Sequence, residues 1–126
     1  MTAITRMARA TAISLTLSTV AGCSRPECKN DALYGLPSPD GAFIAFVFQR
    51  TCEQPHGVST QVSLMPFHES LRNEPGNVLS VPGTQPVKVA WRGPRTLFVT
   101  GFEGATYQRT QPIDSSRIDY QKPKQP

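Results

Sequence analysis

The chain lacks most of what would tie it to a chemistry. Histidine occurs only twice, tryptophan once and cysteine three times, and charged residues make up 17% of the 126 residues. No Cys-x-x-Cys, His-Glu-x-x-His or Gly-x-Ser-x-Gly is present, so neither a common zinc site nor a nucleophile elbow can be written down. No apolar stretch approaches the about 20 residues that a membrane-crossing helix needs. Apolar positions nowhere recur at three and four over more than a few residues, which leaves little room for helix. Arg50, Arg72, Arg92, Arg95 and Arg109 are scattered rather than clustered with aromatics, a pattern that argues against nucleic acid as a partner.

What the chain has is a patterned start. Arg6 and Arg9 precede the uncharged residues 10–20 (ATAISLTLSTV), and small residues Ala21 and Gly22 follow. Positive charge, then a short apolar core, then small residues is the order of a secretion signal. An odd cysteine count in so small an exported chain implies that one thiol is reactive, intermolecular or modified.

Val20-Ala21-Gly22-Cys23 resembles the lipobox of bacterial lipoproteins. In that family an aliphatic residue and two small ones precede a cysteine that receives a diacylglyceryl group and becomes the first residue after cleavage. The resemblance implies that residues 1–22 are a lipoprotein signal peptide, that Cys23 is lipidated, and that 23–27 form a short tether. It also implies attachment to the bacterial cell envelope. Ser24 rather than Asp after the cysteine points to the outer membrane, with the domain facing the periplasm. One acyl chain holds marginally and two or more hold stably. The alternative is an ordinary signal cut after Ala21, with Cys23 an incidental thiol.

Removing 22 residues from 126 leaves 104, and losing Arg6 and Arg9 lowers the formal charge from +4 to +2. That length suits one domain. Cys28 and Cys52 remain and meet an oxidising compartment, where a disulfide is expected; free thiols or a metal pair are the other readings.

Twelve prolines and nine glycines separate short runs rich in Val, Phe, Thr and Leu, which suit strands. The expected fold is mostly β: a single small antiparallel sheet or sandwich over residues 28–120, with blade-like hairpins, one disulfide and a disordered tail at 121–126. Ser38-Pro39-Asp40-Gly41 fits a type I turn at every position, leading into residues 42–50 (AFIAFVFQR). Both faces of that run are apolar, so it reads as a central strand. Residues 59–65 (STQVSLM) alternate as a half-buried strand with Gln61 and Ser63 outward. Residues 67–77 look like a mobile polar loop. Residues 78–81, 87–91 and 96–100 are further strands, with a turn at Arg92-Gly93-Pro94-Arg95, and 106–109 and 117–120 are weaker candidates.

The SPDG turn with its strand, and Trp91 to Val99, are similar to the blade repeat of Tol-associated periplasmic β-propellers, although the second copy has Arg-Gly-Pro-Arg in place of Ser-Pro-Asp-Gly. Two such units cannot close a propeller. The SPDG turn, the aromatic strand ending in Arg50, Cys52 and Ser59-Thr60-Gln61-Val62-Ser63 also resemble small bacterial exported proteins of no assigned activity. That resemblance spans residues 28–101.

Each residue group with potential chemistry also has a plainer reading. Cys52, Glu53 and His56 would need a free thiolate to act as a nucleophilic site, which a disulfide removes. His68-Glu69 has no second ligand, and Ser59 lacks the elbow's glycine. The acids nearest in sequence are Asp114 with Asp119 and Glu69 with Glu74. Phe43, Phe46, Phe48, Trp91 and Phe98 are either core or the lining of a cavity, and Lys122 and Lys124 either a plain tail or a contact for anionic lipid. The expected function is a non-enzymatic, membrane-anchored β domain without cofactor or metal that binds or supports another envelope component. The alternatives are an inhibitor of an incoming hydrolase, although the Ser-Gly-x-x-Tyr motif of lysozyme-inhibiting lipoproteins is missing, and a small envelope hydrolase.

Overall fold

The computed structural model of the chain describes residues 12–14, 16 and 27–122. Cys23, most of residues 1–22 read as a signal, and Lys124 therefore lie outside the described residues. The fold is mostly β, with no helix among the described residues. Among the described residues eight strands follow in order: β1 (Cys28–Pro37), β2 (Phe43–Cys52), β3 (Gly57–Pro66), β4 (Leu79–Pro82), β5 (Lys88–Trp91), β6 (Thr96–Thr100), β7 (Tyr107–Gln108) and β8 (Arg117–Tyr120). They form a five-stranded antiparallel sheet in the order β1-β2-β3-β4-β7 and a three-stranded sheet in the order β5-β6-β8.

A hydrogen-bonded turn at residues 38–41, where the sequence reads as type I, sets the first hairpin. Gly41 N–H donates to Ser38 O at 2.9 Å, and Phe43 N–H donates to Ser38 Oγ at 3.0 Å. From there β2 runs between β1 and β3, paired on both sides, as its two apolar faces require. Phe43, Ala45 and Val47 on one face join Val62, Leu64, Leu79 and Val81 from the large sheet and Val89, Leu97, Val99 and Ile118 from the small sheet in a single core. Burying such side chains stabilises by roughly 1.5–3 kcal/mol each.

β6 pairs antiparallel with β5 but parallel with β8, so the small sheet is mixed. Between β6 and β8 the chain leaves the small sheet, contributes β7 to the far edge of the large one, and returns. It reverses before β8 through a two-residue turn, with Asp114 and Ser115 at φ 45° and 67° and Ile113 bridged to Ser116. Two consecutive positive φ values mark the primed turn type that suits β-hairpins.

Two expectations are revised by residues 67–77. This segment is tied across the second face of the large sheet as a strap: Gly76 N–H donates to Gln61 Oε1 at 2.6 Å, Asn77 N–H to Ser63 Oγ at 3.3 Å, and Asn77 brackets the Leu64 backbone with two bonds of 2.8 Å. Gln61 and Ser63, expected to face solvent, are consequently buried. They stand on the same face as Phe46 and Phe48, their cross-strand partners, and Phe48 is fully buried there.

Gln121, assigned by sequence to the tail, belongs to the domain. Its backbone N–H donates to Val99 O at 3.0 Å, and its side-chain amide binds Gly101 N–H and Phe102 O at 2.7 Å each. At the other boundary Glu27 O accepts from Glu53 N–H at 3.1 Å, so contacts of the fold begin one residue before β1.

Candidate functional site

The register of the large sheet gives the domain two ends. Cys28 faces Cys52 and Cys52 faces Gly57 at one end; Pro37 faces Ile44 and Phe43 faces Pro66 at the other. The disulfide closes the first end, joining β1 to β2 across 24 positions of sequence. Both cysteines are half-buried, and Glu27, Lys29, Asp31, Thr51 and Glu53 surround them in an open hollow of about 450 Å³.

Three turns gather at the second end. Asp40 of the SPDG turn lies 3.3 Å from Arg95 Nε of the Arg-Gly-Pro-Arg turn, and Arg95 Nη1 donates to Asp114 O at 3.2 Å. The two motifs similar to blade repeats are therefore neighbours, joined by an ion pair. Ser38 Oγ–H donates to Asp40 Oδ1 at 2.6 Å and Ala42 N–H to the same oxygen at 3.1 Å. The Ser38 hydroxyl foremost, then Ala42 N–H and the Arg95 charge, hold the Asp40 carboxyl below its usual range against a small opposing effect of burial. Phe67 is 52% exposed beside this cluster, its N–H bonded to Ala42 O. Arg92 stacks its guanidinium 3.4 Å from the centre of the Phe98 ring.

The residues singled out for chemistry are not brought together. Cys52 is bonded to Cys28 and offers no thiolate. His56 is exposed in the β2–β3 turn, and Ser59 Oγ accepts from Gln61 Nε2 at 2.8 Å within β3. His68 is exposed at the start of the strap, where Glu69 pairs with Arg72 at 3.5 Å. Glu74 is exposed at the crest of the strap, Asp114 occupies a turn tip, and Asp119 pairs with Arg117 at 2.9 Å. Phe43 and Phe48 are buried on opposite faces of β2, so the five aromatics cannot line one cavity; Phe46, Trp91 and Phe98 are half-buried. Lys122 is exposed beyond β8.

A second hollow, of about 440 Å³, lies between Gln85, Pro86, Gly101, Phe102, Glu103 and Gln121. The Gln85 and Gln121 amides bind backbone groups of residues 82 and 101–103, so they cement the loops instead of facing a ligand. Among the described residues no group of three His, Cys, Asp or Glu stands close enough to hold a metal ion, and no helix is long and apolar enough to cross a membrane.

Sequence reasoning did not find the strap, the tie between the two turns, or β1. The Asp40–Arg95 pair carried no sequence signal beyond the opposite charges of two turns. Comparison with protein-family models, with curated proteins and with solved structures finds no match.

Proposed function

We propose that this protein is a bacterial lipoprotein, anchored through acyl chains on Cys23, whose small non-enzymatic β domain binds or supports another component of the cell envelope. The observation that carries the reading is the sequence Val20-Ala21-Gly22-Cys23 at the end of a charged and then apolar start. It accounts for the odd cysteine, because Cys28 and Cys52 are bonded to each other. Ser24 favours the outer membrane, with the domain in the periplasm.

The position of the disulfide supports the same reading. The bridge lies five positions after Cys23, so the disulfide end stands next to the anchor. The turn cluster around Asp40, Phe67 and Arg95 lies at the other end of the ten-residue strand β1, about 30 Å away at roughly 3.3 Å per residue. It faces away from the membrane and is the part of the surface offered to a partner.

The test is the intact mass of the protein from a membrane fraction, with free thiols alkylated and no reductant added. A chain beginning at Cys23, carrying acyl mass and no alkyl group, is the expected result. A soluble chain beginning at Gly22 with one alkylated thiol would overturn the anchor. If crosslinking in membranes recovers nothing beyond what a Cys23→Ser control recovers, the binding role fails.

A further inference from the structure

The disulfide and the strap meet on the same half of β1. Asn30 Nδ2 donates to Arg72 O at 2.9 Å and to Glu74 O at 2.7 Å, and Asn73 Nδ2 donates to Cys28 O at 2.8 Å. Arg50 Nη1 completes the knot by donating to Asn30 Oδ1 at 2.8 Å and Asn73 Oδ1 at 3.0 Å. The crest of the strap is thus fastened to residues 28–30, and its return leg to β3 through Gly76 and Asn77.

β1 is an edge strand with no fully buried residue, and its register shifts between Ala32 and Tyr34. Beyond that irregularity it is fixed to the small sheet: Val89 N–H donates to the Tyr34 hydroxyl at 3.2 Å, and Trp91 Nε1–H donates to Leu36 O at 3.1 Å. Before it, residues 28–32 are held by the ladder to β2, the strap contacts and the disulfide. A bulge interrupts the ladder and separates its two halves mechanically. Segments with few buried contacts are the first to open.

We propose that the Cys28–Cys52 bridge is a redox-operated latch: its reduction frees residues 28–32 up to the bulge at Leu33 and releases the crest of the strap from the Phe46 and Phe48 face. The reductant is a dithiol reaching the bridge through the open hollow around it. It supplies two electrons and two protons; the Sγ–Sγ bond breaks, both cysteines become thiols, and the reductant's own sulfurs join as a disulfide. Residues 34–37 and the shared core keep their places, so the change is local. The latch does not depend on the lipid anchor.

Hydrogen–deuterium exchange on the whole protein, oxidised against dithiothreitol-reduced, tests this. The ladder amides within residues 28–32 and the hydrogen-bonded strap amide of Glu74 should exchange at least tenfold faster after reduction, while those of β3, β5 and β6 keep their rates; the reduced protein should also bind an apolar fluorescent dye that the oxidised protein does not. Unchanged exchange in the strap overturns the latch, as does equal acceleration in every strand, which would make the bridge a support of the whole domain. The oxidised Asn30→Ala variant checks the coupling without touching the bridge: the strap should exchange faster while residues 28–32 stay protected. A strap as slow as in the unaltered protein would show that Asn30 does not connect the two.

Discussion

Tyr120 offers a quantitative test of how the two sheets are joined. Its single hydroxyl proton is donated to Arg109 O at 2.6 Å, with Val78 O at 3.1 Å as the second, longer acceptor, and its ring meets Phe102 edge-on at 5.9 Å. A residue of the small sheet thus caps carbonyls of the chain entering and leaving the far edge of the large one. Burial pushes its hydroxyl from 10.0 up to about 12, with the bond to Arg109 O and neighbouring charges as lesser influences. The folded pKa is raised, so this contribution to stability is complete below pH 10 and is lost as pH rises from 10 to 12. Two pKa units correspond to at most about 2.7 kcal/mol, and screening at a half-exposed group reduces that to about 1 kcal/mol. Tyr120→Phe keeps the ring and removes the donor, leaving Arg109 O short of a partner at a cost of about 1–2 kcal/mol at pH 7. Urea unfolding at pH 7 and across pH 9.5–12 measures both effects. The variant should begin less stable and lose less on the alkaline side. Equal stability at pH 7 together with an unchanged alkaline decline would refute the assigned role of the hydroxyl.

Three further outcomes follow from the core, a loop and a turn. Leu97 is fully buried between the sheets, so Leu97→Ala should cost about 2–5 kcal/mol in urea unfolding. Gly101 has φ +82°, and a Cβ there would collide with the Pro86 backbone carbonyl; Gly101→Ala should cost about 2 kcal/mol or more, seen as a lower Tm with the disulfide intact. The Asp40 carboxyl is held below its usual range by Ser38, Ala42 and Arg95, so its contribution is present above its unfolded pKa and lost as pH falls through the lower folded value. Asp40→Asn should therefore flatten the decline of Tm as pH falls below about 4, and an unaltered acid limb would count against the turn as the origin of that decline.

How much was legible in the sequence follows from what each segment buries. β2 could be read because a turn with a residue for every position precedes a run with two apolar faces. The bridge could be read because the expectation of export to an oxidising compartment, with Cys23 set aside for modification, left Cys28 and Cys52 to pair. β1 could not: CKNDALYGLP contributes no fully buried residue, so burial imposed no alternation on it, and it is a strand only because β2 offers a ladder. The parallel pairing of β8 was hidden for another reason. Strand runs carry no sign of direction, and the chain's excursion to β7 decides it.

The strap was misread because apolar surface can be covered by polar chain. One face of β2 is buried by aliphatic side chains from two sheets, a dry contact that sequence patterning reports well. The other lies beneath a segment whose amide side chains and backbone bond to each other and to the strands around it, which leaves its composition indistinguishable from a solvated loop. These covers differ in energetics. The aliphatic core gains from every methylene it removes from water, whereas each bond of the strap replaces one made to water and nets about 1 kcal/mol. A cover built this way is weaker per residue and depends on where its partners are held. In this fold the partners at its crest are Cys28 O and the Asn30 side chain, on the half of β1 that the disulfide fastens. The polarity that concealed the strap in the sequence is therefore also what makes it the part of the domain most responsive to the state of the bridge.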